Sequence, residues 1–184
     1  MYGSMQKYVE VDVQDQVVAG TTTNDETGNL KLEDSTENFI TLGVAVGDVV
    51  HDTSDDRMYT VAAVDDATNL SLTAIGAATG TGLNTGKNYI IYDASSSSKQ
   101  LIATDGVALV ENAAADPINS EVNIQYCNAN GIAIKITHAA VAAGNEDMRD
   151  GFQDAMEASL IQAWPLVKYS GWLPSSLILE IAKV

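Results

Sequence analysis

Cysteine and histidine are scarce in this chain, whose 184 residues include one cysteine and two histidines. Cys127 therefore has no partner for an intrachain disulfide, and the sequence has no Cys/His cluster of the kind that binds zinc. Neither His51 nor His138 lies near Cys127 in the sequence, so we interpret Cys127 as a structural thiol rather than a nucleophile. These absences indicate a chain made for a reducing compartment.

Positive charge is scarce as well, since nine Lys and Arg residues stand against 25 Asp and Glu residues, for a formal net charge of −16. Phosphate backbones and anionic lipids repel such a surface, so we expect no direct binding to nucleic acid or membrane. The acidity favours solubility and resistance to self-association. The alternative is a surface that docks on a basic partner or holds divalent cations.

Long hydrophobic runs are missing. No stretch approaches the ~18 apolar residues of a membrane-spanning helix. The first seven residues also lack the apolar core of a signal peptide. We therefore expect a soluble protein that is made and kept in the cytoplasm.

Large aromatic side chains are few, at 6% of the residues, whereas hydrophobic residues reach 46%. That hydrophobic fraction is enough to form a core, so wholesale disorder is not expected. The remaining composition is dominated by small residues and by Thr, Ser and Asp. It is typical of a β-rich protein with many turns.

The C-terminal part predicts a strand, a helix and a second strand. Alternating isoleucines predict a strand at Ile132–Ile136, and an apolar run predicts the closing strand Leu177–Val184. Between them, the residues that recur at helical spacing predict a helix over Glu146–Trp164, with Asn145 as its cap and Pro165 as its stop. Its predicted apolar stripe is Met148, Phe152, Ala155, Met156, Ser159, Leu160, Ala163 and Trp164.

The preceding residues read as strands. Tyr8–Gln14 alternates as a half-buried strand, and short strands with polar turns from Phe39 to about Asp93 suggest a small barrel or compact meander. Ser95–Ser98 has the composition of a flexible linker, and residues 99–102 and 107–110 predict a hairpin. The predicted fold class is α+β and mostly β, with one helix packed on an antiparallel or mixed sheet. Residues 20–97 form an inserted β-barrel-like module within a domain of residues 1–19 plus 98–184, in which the first strand pairs with the C-terminal sheet.

The sequence contains three kinds of candidate site: acidic turns, two histidines and a glycine-rich segment. The acidic turns contain Asp52, Asp55 and Asp56, with Asp65 and Asp66 one hairpin away; they lack the spacing of a calcium-binding loop, which favours solvated turns over a metal site. His51 and His138 stand without a Gly-x-Ser-x-Gly motif, so structural roles are favoured over catalysis. Gly76–Lys87 is rich in glycine, but its lysine precedes Asn88 and a strand, unlike a phosphate-binding loop. We expect no catalytic residues, no metal site and no enzyme activity.

The aromatic residues near the C-terminus are the candidate interaction residues. Trp164, Tyr169, Trp172 and Leu173 cluster between the helix and the last strand, where they either close one end of the core or anchor a neighbouring subunit. Tyr8 opens the first strand. Because Tyr8–Gln14 and Leu177–Val184 lie at the chain ends, we expect them to offer edges for pairing with a neighbour.

Two segments resemble structural proteins of tailed-bacteriophage virions, including those of marine and cyanobacterial phages. Residues 39–53, continuing through Tyr59–Asp65 to Leu70–Leu72, resemble a β module of these virions. Residues 134–139, followed by the helix and the closing strand, resemble the C-terminal part of small proteins from the same phages. Together the segments cover about two-thirds of the chain.

This resemblance implies a capsid decoration (cement) protein, made in the host cytoplasm and located in the virion. It implies no cofactor, and as partners the major capsid protein, other virion proteins and further copies of the chain in a homo-oligomer such as a trimer. A tail or neck component is the alternative within the virion. A carbohydrate-binding module or hydrolase acting at a cell surface is the alternative of another class.

Overall fold

The computed structural model describes residues 6–24, 29–76, 82–114, 116, 119–127, 134–142, 144–163 and 166–184. Within these ranges the chain forms eleven strands and two helices. In chain order they are β1 Tyr8–Thr21, β2 Lys31–Glu33, α1 Phe39–Leu42, β3 Val49–Asp52, β4 Arg57–Val64, β5 Asn69–Ala74, β6 Asn88–Ala103, β7 Val107–Asn112, β8 Glu121–Tyr126, β9 Ile134–His138, α2 Asp147–Ile161, β10 Lys168–Tyr169 and β11 Ile178–Lys183.

The strands form one mixed sheet in the order β2-β5-β4-β3-β6-β1-β11-β9-β8-β7, with β10 beside β1. β1 runs parallel to β10 and β11, and the other described pairs are antiparallel. The predicted α+β class, mostly β with one main helix on a mixed sheet, is confirmed. The inserted segment is not a closed barrel, because its strands belong to this open sheet.

β1 and β6 are the longest strands and pair over most of their lengths. The first half of β1, through Gln14, pairs with Ser97–Ala103, and its second half, from Gln16, pairs with Asn88–Tyr92. Two register shifts separate the halves. The prediction of a flexible linker at Ser95–Ser98 is wrong, since these serines lie inside β6. Small polar side chains do not prevent a strand when a neighbouring strand satisfies their backbone groups.

The sheet covers two main cores. The C-terminal core, which includes α2, is formed by Val9, Val11, Val13, Ile102, Val110, Val122, Ile124, Ile136, Met148, Phe152, Ala155 and Ile178. The N-terminal core is formed by Val18, Leu32, Phe39, Val44, Val50, Tyr59, Val61, Leu70, Leu72, Leu83, Tyr89 and Ile91. A smaller cluster of Val49, Met58, Tyr92, Ala139, Ala140 and Leu179 joins elements from both parts. The division into residues 1–19 plus 98–184 and 20–97 stays a prediction, and β1 and β6 are continuous across it.

β6 and β7 do not form the predicted hairpin. The chain reverses at Thr104–Gly106, but β7 pairs with β8 at the far end of the strand order. The Tyr126 hydroxyl donates to the Ala103 carbonyl at 2.6 Å, and the Cys127 N–H donates to the Gly106 carbonyl at 2.8 Å. The first contact brings the end of β8 to the end of β6, and the second continues the pairing of β7 with β8.

The first strand is not an edge. Tyr8 pairs with Ala103 of β6 on one side and with Lys168 of β10 on the other. The prediction that Tyr8–Gln14 offers a free edge to a neighbour is therefore wrong. The closing strand β11 pairs with β9 along most of its length but with β1 only at Ile178.

The helix α2 is shorter than predicted, ending at Ile161 rather than at Trp164. The Asn145 Oδ1 accepts the Asp147 N–H at 2.8 Å, so Asn145 does satisfy a donor of the first turn. The buried stripe is Met148, Phe152, Ala155 and Ser159, at steps of four, three and four residues. The prediction that Leu160 belongs to the buried stripe is wrong, because it is 50% exposed.

A second, one-turn helix replaces part of the predicted β pattern at Phe39–Leu42. Asn38 caps it by accepting the Thr41 N–H at 3.1 Å, and Gly43 ends it with a φ of 85°. A left-handed residue at this position favours glycine. The turn buries Phe39, which packs edge-on against Tyr89 with ring centroids 6.4 Å apart. Hydrophobic alternation alone did not distinguish this turn from a strand.

Candidate interaction surface

The structure brings together three of the four predicted interaction residues around the start of β1. The Tyr8 N–H donates to the Val167 carbonyl at 2.9 Å, and the next residue, Val9, pairs with Tyr169. Trp172 lies three residues after Tyr169 in the sequence. The fourth predicted residue, Trp164, lies outside the described residues.

Trp172 packs across one face of α2. Its ring meets Phe152 edge-on, with ring centroids 5.2 Å apart and an interplanar angle of 66°. A Cβ atom added to Gly151 would lie 3.1 Å from the Trp172 Nε1, so the glycine lets the indole come close to the helix. Trp172 is half-buried and contacts the C-terminal core. Trp172 therefore covers one side of the C-terminal core.

The segment from residue 160 to 173 carries an unusual concentration of exposed apolar side chains. Of the eleven large hydrophobic residues that are exposed in the described chain, five lie here. We call them the helix-end surface: Leu160, Ile161, Leu166, Val167 and Leu173. Ile161 is 84% and Leu173 is 89% exposed. A concentration of exposed apolar side chains in one segment marks a candidate binding site.

Sequence reasoning missed most of this surface. The helical spacing predicts a buried Leu160, and no periodic pattern points to Ile161, Leu166 or Val167. One signal in the sequence indicates this surface. Hydrophobic residues occur on both sides of Pro165, and the helix cannot extend past this proline. Apolar residues after the end of a helix do not belong to its buried stripe. Their position therefore favours exposure.

The lysine that precedes β1 binds the backbone next to the helix-end surface. The Lys7 ammonium donates to the carbonyls of Gln162 and Ala163, at 3.4 and 3.3 Å, and also to the Leu166 carbonyl. A positive charge at this position complements the negative end of the α2 dipole. These bonds tie Gln162, Ala163 and Leu166 to the residue that precedes β1.

Glu10 fixes the same segment from the other side. Lys168 donates a hydrogen bond to Glu10, and the Lys99 Nζ lies 3.4 Å from the Glu10 Oε1. The hydrogen bond from Lys168 lowers the pKa of Glu10 below its usual value of 4.5. The carboxylate is thus charged at neutral pH and ties β10 to β1 and β6.

The two acidic turns do not form one site. The turn at Asp52–Asp56 precedes β4 and the turn at Asp65–Asn69 follows it, so about 23 Å of strand separates them at ~3.3 Å per residue. Their carboxylates also have separate partners: Asp55 meets Lys87 at 2.7 Å and Asp65 meets Lys31 at 3.1 Å. Within the described ranges, no three His, Cys, Asp or Glu side chains group as metal ligands.

Asp52 is the most buried carboxylate of these turns, at 2% exposed. Its Oδ1 accepts the N–H groups of Ser54 and Asp55, at 3.0 and 3.2 Å. Burial raises the pKa of Asp52 and the two hydrogen bonds oppose that change. This geometry is that of a side chain that caps its own turn.

The two histidines and the cysteine lie apart. The His51 Nε2 is 3.2 Å from the Asp56 Oδ1, at the turn between β3 and β4. His138 is buried at the end of β9, where its Nδ1 donates to the Ala139 carbonyl at 3.0 Å, and burial lowers its pKa. Cys127 is exposed after β8. His51 lies in β3 and His138 ends β9.

The glycine-rich segment is described only in part, because residues 77–81 lie outside the described ranges. In the remainder, Leu83 is buried in the N-terminal core, and Thr22 accepts the Lys87 N–H at 2.9 Å. The Lys87 ammonium meets Asp55, as noted above. The described end of this loop is therefore held against the strands β1 and β6.

Comparisons of the chain with protein-family models, with curated proteins and with solved structures found no match. Neither α1 nor α2 could cross a membrane, and no helix in the described part of the chain has the length and apolar character that a span requires.

Proposed function

We propose that this protein is a structural component of a tailed-phage virion, and most specifically a capsid decoration protein that stabilises the head shell. The observation that supports it best is the helix-end surface, whose exposed apolar side chains lie beside residues that are bound by Lys7 and Glu10. Preorganised apolar surface binds well because little conformational entropy is lost on association.

The proposed partner is the major capsid protein at the positions where its subunits meet. The resemblance of residues 39–72 and 134–184 to virion proteins favours this partner over others. The net charge of −16 adds an electrostatic preference for a basic surface. Apolar contacts then supply the affinity, and the charges supply the encounter rate and the choice of partner.

Binding to phage heads tests this proposal. Purified protein is mixed with heads that lack it, sedimented, and examined by electron microscopy. We expect saturable binding at regular positions on the shell. Density in the tail or neck of intact virions, without binding to heads, would favour a tail or neck component instead, and absence from the particle would remove the virion proposal.

Substitutions within and away from the helix-end surface sharpen the test. Ile161→Asp and Leu173→Asp place charge at two of the most exposed positions, and we expect each to weaken head binding about 100-fold, as for an interface hot spot. Val46→Asp is the matched control, since Val46 is 69% exposed but lies in the loop between α1 and β3, outside the helix-end surface. Equal loss in all three variants would argue against this surface.

The oligomeric state is a separate part of the proposal. We expect the protein to assemble as a homo-oligomer such as a trimer, at least when bound to the shell. Light scattering of the free protein, and the symmetry of its density on heads, measure this directly. A free monomer that forms separate single densities on the shell would contradict it.

A further inference from the structure

A cleft opens where β1 and β11 separate. The two parallel strands pair only at Val13 and Ile178, whereas β9 pairs with the opposite edge of β11 as far as Lys183. Among the described strands, the edge of β11 that faces β1 therefore has no partner from Leu179 onward. The cleft is lined by residues of β1, β6 and β11 and has a volume of about 300 Å³.

A largely buried tyrosine lines this cleft with its hydroxyl, a hydrogen-bond donor. Tyr92 of β6 is 5% exposed and packs with Leu179 and Val49. Burial raises the pKa of Tyr92 to about 12, so the hydroxyl keeps its proton at neutral pH. The described residues give this hydroxyl no hydrogen-bond partner. The hydroxyl is not one of the fully buried, unpartnered polar atoms of the described residues, so it reaches the open space of the cleft, where a ligand can accept its hydrogen bond in place of water.

The charged side chains that line the cleft are all negative. Asp15 and Glu180 are its charged residues, and none of the lining residues is Lys or Arg. Asp15 accepts a hydrogen bond from the Ser96 Oγ at 2.6 Å, and Glu180 is exposed. The remaining polar lining consists of Gln14, Gln16, Ser98 and Gln100. A positively charged ligand with hydrogen-bonding groups complements this lining.

We propose that the cleft binds an extended, basic segment of another protein, which adds as a strand to the free edge of β11. Backbone groups of the segment pair with Leu179–Lys183, and its Lys or Arg side chains face Asp15 and Glu180. The Tyr92 hydroxyl donates to a carbonyl or side chain of the segment. This is recognition by strand addition, in which backbone hydrogen bonds give affinity and side chains give selectivity.

A second copy of this chain is the less suitable occupant. Each copy carries a net charge of −16, so two copies repel one another where the cleft is already acidic. The outer sheet edges are also less open than this one: the Gln153 Nε2 donates to the Val110 carbonyl of β7, and the Lys31 carbonyl of β2 accepts the Leu83 N–H. The inference does not depend on the virion proposal, because it concerns a different surface.

Alternating peptides of about eight residues test strand addition. The probe is a Lys-Val repeat, with a Glu-Val repeat as the charge control and a Lys-Val repeat N-methylated at alternate positions as the backbone control. We expect the Lys-Val repeat to bind at least ten-fold more tightly than either control. Amide hydrogen exchange then maps the site, and we expect alternate amides of Leu179–Lys183 to become protected.

Variants of the cleft separate its parts. Tyr92→Phe removes only the hydroxyl, and we expect about five-fold weaker peptide binding from one lost hydrogen bond. Asp15→Asn combined with Glu180→Gln should weaken it about ten-fold at low salt and less at high salt. Asp105→Asn removes an exposed charge in a distant turn and should leave binding unchanged.

Three results would overturn the inference. Equal binding of the Lys-Val and Glu-Val repeats would exclude charge selection, and equal binding of the N-methylated repeat would exclude backbone pairing. Protection at residues 160–173, without protection in β11, would place the peptide on the helix-end surface instead.

Discussion

His138 couples the stability of this fold to pH at the scale of a single residue. It is 1% exposed, and burial lowers its pKa from 6.5. The folded state therefore keeps it neutral while the unfolded state takes up a proton. Since the unfolded state binds more protons, stability is fully present above about pH 6.5 and is lost as pH falls from there toward the lower folded pKa.

Replacing this side chain tests the argument. We expect the free energy of unfolding of the unmodified protein to fall by up to about 1.4 kcal/mol per pH unit between pH 6.5 and the folded pKa, and His138→Asn to lose that slope. Urea unfolding at a series of pH values measures it. His51→Asn, which removes the other histidine, is the control, and an unchanged slope in His138→Asn would refute the prediction.

Asp52 gives a second prediction at this scale, because its charge and its acceptor oxygen act in opposite directions. Asp52→Asn removes the buried charge but keeps an oxygen for the Ser54 and Asp55 N–H groups. We expect Asn to be at least as stable as Asp at pH 7 and Ala to lose about 1–2 kcal/mol of unfolding free energy. Denaturant unfolding of both variants measures this difference. An equal loss of unfolding free energy in both variants would contradict the capping role.

At the scale of the elements, the C-terminal end of α2 is stabilised by a residue outside the helix. Lys7 precedes β1, yet its ammonium supplies the positive charge at the end of α2. We expect Lys7→Gln to lower the free energy of unfolding by about 1 kcal/mol and to speed amide exchange in the last turn of α2. Lys183→Gln removes one exposed charge elsewhere and is the control. No difference between the two variants would show that the interaction is not stabilising.

The segment after β10 separates core packing from surface exposure. Trp172 packs on Phe152, whereas the next residue, Leu173, is 89% exposed. We expect Trp172→Ala to lose about 2–3 kcal/mol of unfolding free energy, and Leu173→Ala to lose less than about 0.5 kcal/mol. Thermal or urea unfolding measures both. If Trp172→Ala is as stable as Leu173→Ala, the indole serves a partner rather than the core.

The elements that were predictable are those set by local pattern. The alternation of Val9, Val11 and Val13 predicted a strand, and the spacing of Met148, Phe152 and Ala155 predicted α2. Pairing partners were not predictable in the same way, because β7 leaves β6 by a tight turn and then pairs with β8. Strand choice depends on tertiary packing that a turn signal does not contain.

The candidate site was predictable only through its aromatic residues. Tyr8, Tyr169 and Trp172 stand out in a chain with 6% aromatics, and the structure places them around one end of β1. The helix-end surface was not predictable, because exposure of Leu160 depends on where α2 stops. The cleft beside β11 was also hidden, since it depends on two strands that separate after a single pair.

At the scale of the whole molecule, the continuous strands β1 and β6 link the two main cores, so we expect them to unfold together. Leu70→Ala damages the N-terminal core, where Leu70 is fully buried, and should cost about 2–5 kcal/mol. Both tryptophans lie at positions 164 and 172, so their fluorescence reports the C-terminal part. In Leu70→Ala, we expect the unfolding midpoint measured by tryptophan fluorescence to fall as far as the midpoint measured by circular dichroism. An unchanged fluorescence midpoint would show two independent domains.

The direction of β11 relative to β1 determines how the fold meets mechanical load. Because the strands are parallel, force applied at Tyr8 and at Lys183 pulls along the strand axis in opposite directions. The hydrogen bonds lie across that axis, so β1 is anchored by twelve residue pairs with β6, whereas its backbone link to β11 is the single pair Val13–Ile178, which this load reaches directly. Tension between these two points is therefore resisted in shear, and a force reversed into a peeling geometry would separate the same strands with much less work.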